Sequence, residues 1–353
     1  MINIGIIGAG TVAQLMHIPT LSNLPDLFNV TAIYDLSPSL TKHISTRYNA
    51  IGYDSPFDLI RENKIDAVFV LSPDQYHAEY AKAAILAGKH VFIEKPVTLC
   101  PQELQELIDL EKQHPGQVCM VGYMRRYAQG FLKCKELLDS DDRKIEYMRF
   151  RDIILEGDYY IDQTLHPIIP DDITGQQKTE SAERRQQQIR LALGENCTRQ
   201  QQISYQMLTG LGCHSLSAVR ELVGKPLSIK SVAADCEHLV IVFQFEGFLA
   251  VYELVNDQNI VQFDAAIEIY QHDRYMHVKY ETPYLRYQPH QFTVVESSTH
   301  DTRTTIYGPD YRDAFENELR YFHDCIKNGL KPKTSLEDSL EDLILFKQIC
   351  AQI

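Results

Sequence analysis

The chain has 353 residues, enough for two domains, and its hydrophobic content of 44% permits well-packed cores. Its formal net charge of -14 argues against nucleic acid or an anionic membrane surface as a partner. Its eight cysteines are scattered without a CxxC pair, which is unlike a zinc site or a disulfide framework and predicts a reducing compartment, the cytoplasm.

The chain opens on an apolar run, Ile2–Ile7, with neither a basic leader nor a long apolar segment, so we expect no signal peptide and no membrane span. This run breaks into Gly8-Ala-Gly10-Thr-Val-Ala13 and then passes into helix-compatible sequence. Strand, glycine turn and helix in this order hold a dinucleotide pyrophosphate, because Gly8 permits the tight turn and Gly10 lets the backbone approach the phosphates. The pattern predicts cofactor contacts at Gly8, Ala9, Gly10, Thr11 and Val12.

A second apolar run, residues 30–34, ends in Asp35. An acid about twenty residues after the glycine turn can accept hydrogen bonds from a ribose diol. The alternative is an ordinary polar residue that closes a strand, and we favour the ribose contact. Neither Arg nor Lys follows Asp35 at once to bind a 2′-phosphate, so the pattern favours NAD over NADP.

The first third of the chain alternates apolar runs with helical patterns, which predicts a doubly wound parallel sheet of the Rossmann type. The expected strands are residues 2–7, 30–34, 67–71, 90–93 and 118–121, and the clearest expected helices are residues 74–87 and 101–113.

After about Tyr123 the sequence pattern changes to β-like runs joined by short turns, which predicts an α+β domain with a large, mostly antiparallel sheet. The runs are residues 147–155, 229–234, 239–245, 248–254, 261–270, 275–278, 292–295 and 302–306. Two helical patterns, residues 311–328 and 335–352, end the sequence and can pack back on the first domain. We therefore divide this α/β chain into residues 1–123 and residues 124–353.

Residues 176–202 are rich in Gln, Arg and Glu and interrupt the second domain. They are either a disordered insert or an exposed helix or lid. Good helix formers over residues 180–193 favour the helix.

Several blocks together resemble one protein family. They are the glycine turn, Asp35, Ser72-Pro73 with His77, Gly88-Lys-His-Val-Phe-Ile-Glu94-Lys95-Pro96, and Val121-Gly-Tyr-Met-Arg125-Arg126-Tyr127. Over essentially its whole length the chain resembles the glucose–fructose oxidoreductase, inositol dehydrogenase and rhizopine-catabolism (Gfo/Idh/MocA) family of NAD(P)-dependent oxidoreductases. The Glu-Lys-Pro block is the most specific element of this resemblance.

The resemblance implies an NAD-binding first domain and a second domain for substrate binding and oligomerisation. It implies oxidation of a secondary hydroxyl of a sugar, cyclitol or related polyol, and in some members reduction of the ketone. It also implies that further cofactor contacts come from Ser72, Pro73, His77, Glu94 and Lys95.

Lys95 is the first candidate catalytic residue. It lies just past the fourth expected strand, at the carboxyl edge where open parallel sheets bind their ligands. A lysine there can hydrogen-bond the reacting oxygen, and desolvation or a cationic nicotinamide would ease loss of its proton. The alternative is a solvated loop cation, and the surrounding block favours catalysis. The proline that follows suggests a cis Lys95–Pro96 bond.

His214 is the second candidate catalytic residue. Its surroundings are similar to the family's Asp-x-Gly-x-His-x-x-Asp block, in which the histidine transfers a proton and binds substrate. Gly212 and His214 match this block, whereas Gly210 and Ser217 stand at the two acid positions. His214 therefore acts alone, pairs with an acid from elsewhere, or is a packed histidine in an inactive protein. We favour catalysis.

Arg125, Arg126 and Tyr127 follow the fifth expected strand, and on an extended segment only one of the two arginines would face a pocket. We assign substrate contacts to Lys95, Arg126, Tyr127, Asp152 and His214.

The sequence thus predicts an NAD-dependent dehydrogenase for a small-molecule sugar, cyclitol or polyol, with no metal. One alternative is a redox-silent NAD-binding regulator or sensor. Another is an enzyme that uses bound NAD transiently for elimination or epimerisation. We expect a homodimer or homotetramer, because an uncovered apolar sheet face of this size is unfavourable in water.

Overall fold

The computed structural model describes residues 1–155, 157–260 and 262–353, which form two compact units. The first unit contains Met1–Tyr123, Leu165–Cys197 and Glu318–Ile344, and the second contains Met124–Thr164, Thr198–Asn317 and Leu345–Ile353. The first unit thus has two segments, residues 165–197 and 318–344, beyond the 1–123 stretch that the sequence analysis assigned to the first domain. Val261, where one expected strand begins, lies outside the described residues.

The order of strands and helices along the chain agrees with the prediction. The strands are β1 Ile2–Ile7, β2 Phe28–Tyr34, β3 Ile51–Gly52, β4 Ala67–Val70, β5 His90–Glu94, β6 Cys119–Gly122, β7 Ile145–Ile153, β8 Ser228–Ala234, β9 His238–Gln244, β10 Leu249–Val255, β11 Asp264–Gln271, β12 Arg274–Tyr280, β13 His290–Ser297 and β14 Thr302–Asp310. The α-helices are α1 Ile18–Ser22, α2 Pro38–Arg47, α3 Pro56–Arg61, α4 His77–Leu86, α5 Pro101–Gln113, α6 Gln129–Asp139, α7 Gly157–Thr164, α8 Gly175–Leu193, α9 Arg199–Met207, α10 Cys213–Val223, α11 Ala314–Asn328 and α12 Leu336–Cys350.

The first unit is built on a parallel sheet with the strand order β3-β2-β1-β4-β5-β6. Chain connections run outward in opposite directions from β1 and β4, and in open α/β sheets this switch point is where ligands bind at the carboxyl edge. This order confirms the predicted doubly wound Rossmann sheet. The strand β3 was not predicted from the sequence, because its two residues are too few to form an apolar run.

Aromatic packing fills the middle of this sheet. Phe69 on β4 stacks on Phe92 on β5 with ring centroids 4.7 Å apart. Phe322 on α11 meets both rings edge-on, at 5.7 and 5.6 Å. All three side chains are fully buried, so the second half of α11 completes the core of the first unit.

The second unit contains an eight-stranded sheet with the order β14-β13-β12-β11-β7-β10-β9-β8. All neighbouring strands are antiparallel except β7 and β10, which pair in parallel. Phe150 on β7 lies between Tyr252 and Ile267 on the flanking strands, and all three are buried on one face. The large, mostly antiparallel sheet predicted for the second domain is therefore confirmed.

The Gln-rich insert forms helix over most of its length. Thr174 caps α8 by accepting a hydrogen bond from the backbone N–H of Gln177, whose side chain accepts one from the backbone N–H of Thr174. The helical interpretation is confirmed, and the alternative of a disordered insert is wrong. Within the described part of the chain, no helix combines the length and apolarity needed to span a bilayer.

Candidate active site

The glycine turn follows β1 and packs against the end of β4. Gly8 has a φ of 97°, and its N–H donates to the carbonyl of Tyr34 at 2.8 Å. A Cβ at Gly8 would lie 2.5 Å from the backbone nitrogen of Ser72. The close approach and the left-handed backbone both require glycine at this position.

Gly10 has a different environment, since a Cβ there would meet nothing within 4 Å among the described residues. The helix begins immediately after it and runs through a π-helical segment, Ala13–His17, into α1. Thr11 and Val12 form the first helical positions and are partly exposed. Protein packing therefore leaves room beside Gly10, at a helix start whose N–H groups suit an anion.

Asp35 fastens this turn to the start of α2. Its carboxylate accepts hydrogen bonds from the backbone N–H of Ala9 at 2.8 Å and of Ser37 at 2.9 Å, one at each oxygen. A carboxylate oxygen can accept two hydrogen bonds, so both oxygens retain capacity for ribose hydroxyls. Burial raises the pKa of Asp35, and the charge of Asp172 adds to this rise against the two backbone hydrogen bonds.

His77 joins the segment after β4 to the segment after β5. One ring nitrogen lies 2.7 Å from the carbonyl oxygen of Pro96, and the other lies 2.5 Å from that of Ser72. The Lys95–Pro96 peptide bond is cis, as the sequence suggested. The hydroxyl of Ser72 is buried and has no hydrogen-bond partner among the described residues.

Glu94 and Lys95 stand at the carboxyl end of β5. The Glu94 carboxylate lies 2.6 Å from the Nε2 of the buried His17 and accepts the backbone N–H of Lys95 at 3.0 Å. Burial opposes ionisation of Glu94, but the hydrogen bond and charge of His17, together with Lys95, hold its pKa below the usual value. This carboxylate therefore orients the backbone from which the Lys95 side chain starts.

The carboxyl ends of β2, β1, β4 and β5 thus bring Asp35, the glycine turn, Ser72-Pro73 and Glu94-Lys95 to one edge of one sheet. Three features fit a bound dinucleotide: a Ser72 hydroxyl with no partner in the described part of the chain, the room beside Gly10 and the remaining hydrogen-bonding capacity of Asp35. Of the predicted cofactor and catalytic residues, the first unit assembles all except His214.

His214 belongs to the second unit. A π-helical segment, Leu208–Gly212, continues α9 into α10, and His214 is the second residue of α10. Ser217 is buried and its hydroxyl donates to the carbonyl of His214 at 3.3 Å. The two positions that carry acids in the family thus hold a glycine in the π-helical segment and a serine bonded to its own helix.

Asp152, a predicted substrate contact, is part of a buried polar cluster in the second unit. It forms an ion pair with Arg125 and accepts a hydrogen bond from the hydroxyl of Tyr252 at 2.8 Å. Arg125 also donates to the hydroxyl of Ser215 at 2.8 Å and lies 5.0 Å from the ring centroid of Tyr280. Burial opposes the charge of Arg125, but Asp152 outweighs it and raises the pKa of the guanidinium.

The segment that carries Arg125, Arg126 and Tyr127 is a 3-10 helix, Met124–Tyr127, and the expectation of an extended segment is wrong. Both arginines are buried, because each has an acidic partner inside the second unit, and that of Arg126 is Glu221. The expectation that only one of the two arginines faces a pocket rested on an extended segment and has no basis in this 3-10 helix. The substrate assignment of Arg126 and Tyr127 stays a prediction.

Four residues at this edge were not predicted from the sequence: His17, Gln14, Ser37 and Asp172. Ser37 could have been predicted, since Ser-Pro at the start of a helical pattern is typical of an N-cap. In the structure its hydroxyl accepts a hydrogen bond from the backbone N–H of Leu40 at 3.0 Å. The other three act through contacts with residues distant in sequence, which local patterns do not reveal.

Comparison with known proteins supports a dinucleotide-binding site in the first unit. Residues 2–123 match the Gfo/Idh/MocA model, described as an oxidoreductase family with an NAD-binding Rossmann fold. Over these residues the chain therefore resembles this oxidoreductase family, as the sequence motifs predicted. The first unit carries an NAD(P)-binding Rossmann fold.

Two curated relatives are inositol 2-dehydrogenases. That of Serratia proteamaculans is 34% identical over 141 residues, which cover 39% of this chain and 42% of the relative. That of Salmonella paratyphi B is 29% identical over 140 residues, which cover 39% of this chain and 41% of the relative. The match thus spans about two fifths of the length of either protein.

Solved structures resemble the whole chain at low identity. A 3-ketoreductase from Actinomadura kijaniata, solved with NADP and TDP-benzene, is 18% identical with a TM-score of 0.74 and covers 99% of this chain and 97% of its own. A dehydrogenase from Clostridium difficile is 18% identical with a TM-score of 0.74 and covers 100% of this chain and 99% of its own. At this identity the likeness shows the fold.

Proposed function

We propose that the protein is an NAD-dependent oxidoreductase that acts on a secondary hydroxyl of a sugar, cyclitol or related polyol. The observation that carries this proposal is the position of Lys95, directly after β5 at the sheet edge that also holds the glycine turn and Asp35. The inositol dehydrogenases among the relatives support a cyclitol or sugar as the class of substrate.

In this proposal the first unit holds the cofactor. The backbone of residues 8–12 binds the pyrophosphate, Asp35 accepts the adenosine ribose hydroxyls, and Ser72, Pro73, His77 and Glu94 line the remainder of the site. Bound NAD supplies the hydride acceptor. The absence of a cation directly after Asp35 supports NAD over NADP.

Lys95 and His214 share the chemistry on the substrate side. The Lys95 ammonium donates a hydrogen bond to the reacting oxygen and stabilises the negative charge that develops there as its proton leaves. The His214 imidazole takes that proton. Arg126, Tyr127 and Asp152 complete our assignment of substrate contacts.

A second candidate function is a redox-silent NAD-binding regulator. Gly210 and Ser217 favour it, because neither supplies the carboxylate that accompanies the histidine in the family's block. A panel of polyols, cyclitols and sugars, incubated with NAD and followed by NADH absorbance, separates the two functions. NADH formation supports the dehydrogenase. Product analysis without net NADH detects transient use of NAD in elimination or epimerisation, and no product with any substrate supports the regulator.

Replacement of Lys95 by Met tests its role. We expect turnover to fall by about 100-fold or more, because a positioned proton-transfer or charge-stabilising group contributes on this scale. NAD affinity is expected to stay close to wild type. Lys82→Met is the control, since Lys82 is an exposed lysine of the same unit with 55% of its side chain accessible. Unchanged turnover of Lys95→Met would remove Lys95 from the mechanism.

We also propose that the protein acts in the cytoplasm as a homodimer or homotetramer. The sheet of the second unit supports assembly, because apolar and aromatic side chains lie partly exposed on one of its faces.

A further inference from the structure

An extended insert, residues 165–197, belongs to the first unit and reaches the adenosine end of the proposed cofactor site. The Asp172 carboxylate accepts hydrogen bonds from the hydroxyl of Ser37 and from the backbone N–H of Ser39, the latter at 2.9 Å. Ser37 is the N-cap of α2 and is fully buried. The same residue donates its backbone N–H to Asp35. A single residue therefore bridges the carboxylate expected at the ribose and a second carboxylate from the insert.

The insert is fastened at further points along the same edge of the first unit. Gln14 accepts the backbone N–H of Ile168 at 2.8 Å and donates to its carbonyl at 3.0 Å, while also donating to the carbonyl of Ala9. On α8, Arg185 pairs with Asp74 at 2.8 Å. Contacts on both sides hold Asp172 beside α2.

The groups that Asp172 contacts are those a phosphate would use. A helix start that offers a serine hydroxyl and a backbone N–H is a common anion site in proteins. Here the protein's own carboxylate accepts both hydrogen bonds. Burial raises the pKa of Asp35, and the nearby charge of Asp172 adds to this rise, as expected of two acids that share one neighbour.

We propose that Asp172 determines cofactor specificity by occupying the place that the 2′-phosphate of NADP would need beside Asp35. The inference rests on the proposed function, because it assumes that Asp35 faces the adenosine ribose. A 2′-phosphate there would meet two carboxylates and find the Ser37 and Ser39 donors already bonded. The insert thus acts as the second element that rejects NADP, besides Asp35.

The test is titration of NADH and NADPH, followed by nicotinamide fluorescence, with the full-length protein. In wild type we expect NADH to bind and NADPH to bind much more weakly. In Asp172→Ala we expect the ratio of the two dissociation constants, NADPH over NADH, to fall by at least about tenfold, or about 1.4 kcal/mol. Asp172→Asn removes the charge but keeps an acceptor for Ser37, so its ratio should lie between those of wild type and Asp172→Ala.

Asp171→Asn is the matched control, since it makes the same charge change one residue away and leaves the contacts with Ser37 and Ser39 in place. An unchanged ratio in both Asp172 variants, or an equal fall in Asp171→Asn, overturns the inference and leaves the proposed function intact. If wild type binds NADPH as tightly as NADH, the inference is also wrong. If wild type binds neither dinucleotide, the proposed function fails and the inference fails with it.

Discussion

Glu111, on α5 in the first unit, has a carboxyl pKa far above its usual value. Burial raises its pKa from 4.5 to about 7, against the nearby charge of Lys331 and the thiol of Cys119. Its folded pKa thus exceeds its unfolded one, so the folded state binds more protons between these values. The associated stability is fully present below pH 4.5 and is lost as the pH rises through about 7.

Replacement of Glu111 by Gln should therefore stabilise the protein in a pH-dependent way. We expect the free energy of unfolding to rise by up to about 3 kcal/mol at about pH 8, because the amide mimics the neutral acid, and to change little at about pH 5. Urea denaturation at both pH values measures this. Glu106→Gln on the same helix is the control, since 73% of its side chain is exposed. A gain of equal size at both pH values would show that the carboxyl does not titrate in this range.

Single residues at the site were predictable to different degrees. Gly8 and Lys95 follow apolar runs, and the chain order of strand, turn and helix is enough to assign them to the carboxyl edge of the sheet. The contacts of His17 with Glu94 and of Asp172 with Ser37 join residues 77 and 135 positions apart. Such pairs depend on tertiary packing, and a hydrophobic pattern carries no information about them.

The glycine turn is the element whose two glycines have separable roles. Gly8→Ala should cost about 2 kcal/mol of stability or more, because alanine must adopt a positive φ and its Cβ meets the backbone of Ser72. Gly10→Ala should leave stability near wild type, since its Cβ meets nothing within 4 Å among the residues that the structure describes, yet weaken NADH binding. Urea denaturation and NADH titration measure the two effects, and each variant serves as the control for the other. Wild-type affinity in Gly10→Ala would argue that the phosphates lie elsewhere.

Among the elements, the buried parallel strands were the easiest to predict. β4 and the middle of β5, residues 91–93, are runs of Val, Ile, Phe and Ala that are buried on both faces, so their apolar character is continuous. The bounds of both strands lie within a residue of expectation. The polar insert was harder to interpret, because α8 is fastened mostly by charged and amide side chains. Arg184 with Glu79 and Gln188 with Gln75 are such contacts, and they resemble solvated surface in the sequence.

At the scale of the whole molecule, the sequence predicted a parallel sheet followed by a mostly antiparallel one. It did not show to which compact unit every segment belongs. The first compact unit draws on three separate stretches of chain. Phe322 shows why, since its ring packs on Phe69 and Phe92, more than two hundred residues earlier in the chain. The sequence pattern of an amphipathic helix predicts that one of its faces packs on an apolar partner. Which residues form that partner is decided by three-dimensional packing.

The assembly of the protein can be tested on the sheet of the second unit. Tyr270 lies at the centre of an aromatic cluster on that face, 5.7 Å from Tyr147 and 4.9 Å from Tyr275 between ring centroids, and it remains 38% exposed. A subunit interface of about 1,200–2,000 Å² over this face would cover the cluster. We expect sedimentation velocity at micromolar concentration to show a dimer or tetramer, and Tyr270→Glu to shift it towards monomer, since a buried unpaired carboxylate is unfavourable. Leu86→Glu is the control, because Leu86 is a 59% exposed apolar residue of the first unit and should leave the assembly intact. A wild-type protein that sediments as a monomer would contradict the prediction, and equal dissociation by both variants would exclude this face as the interface.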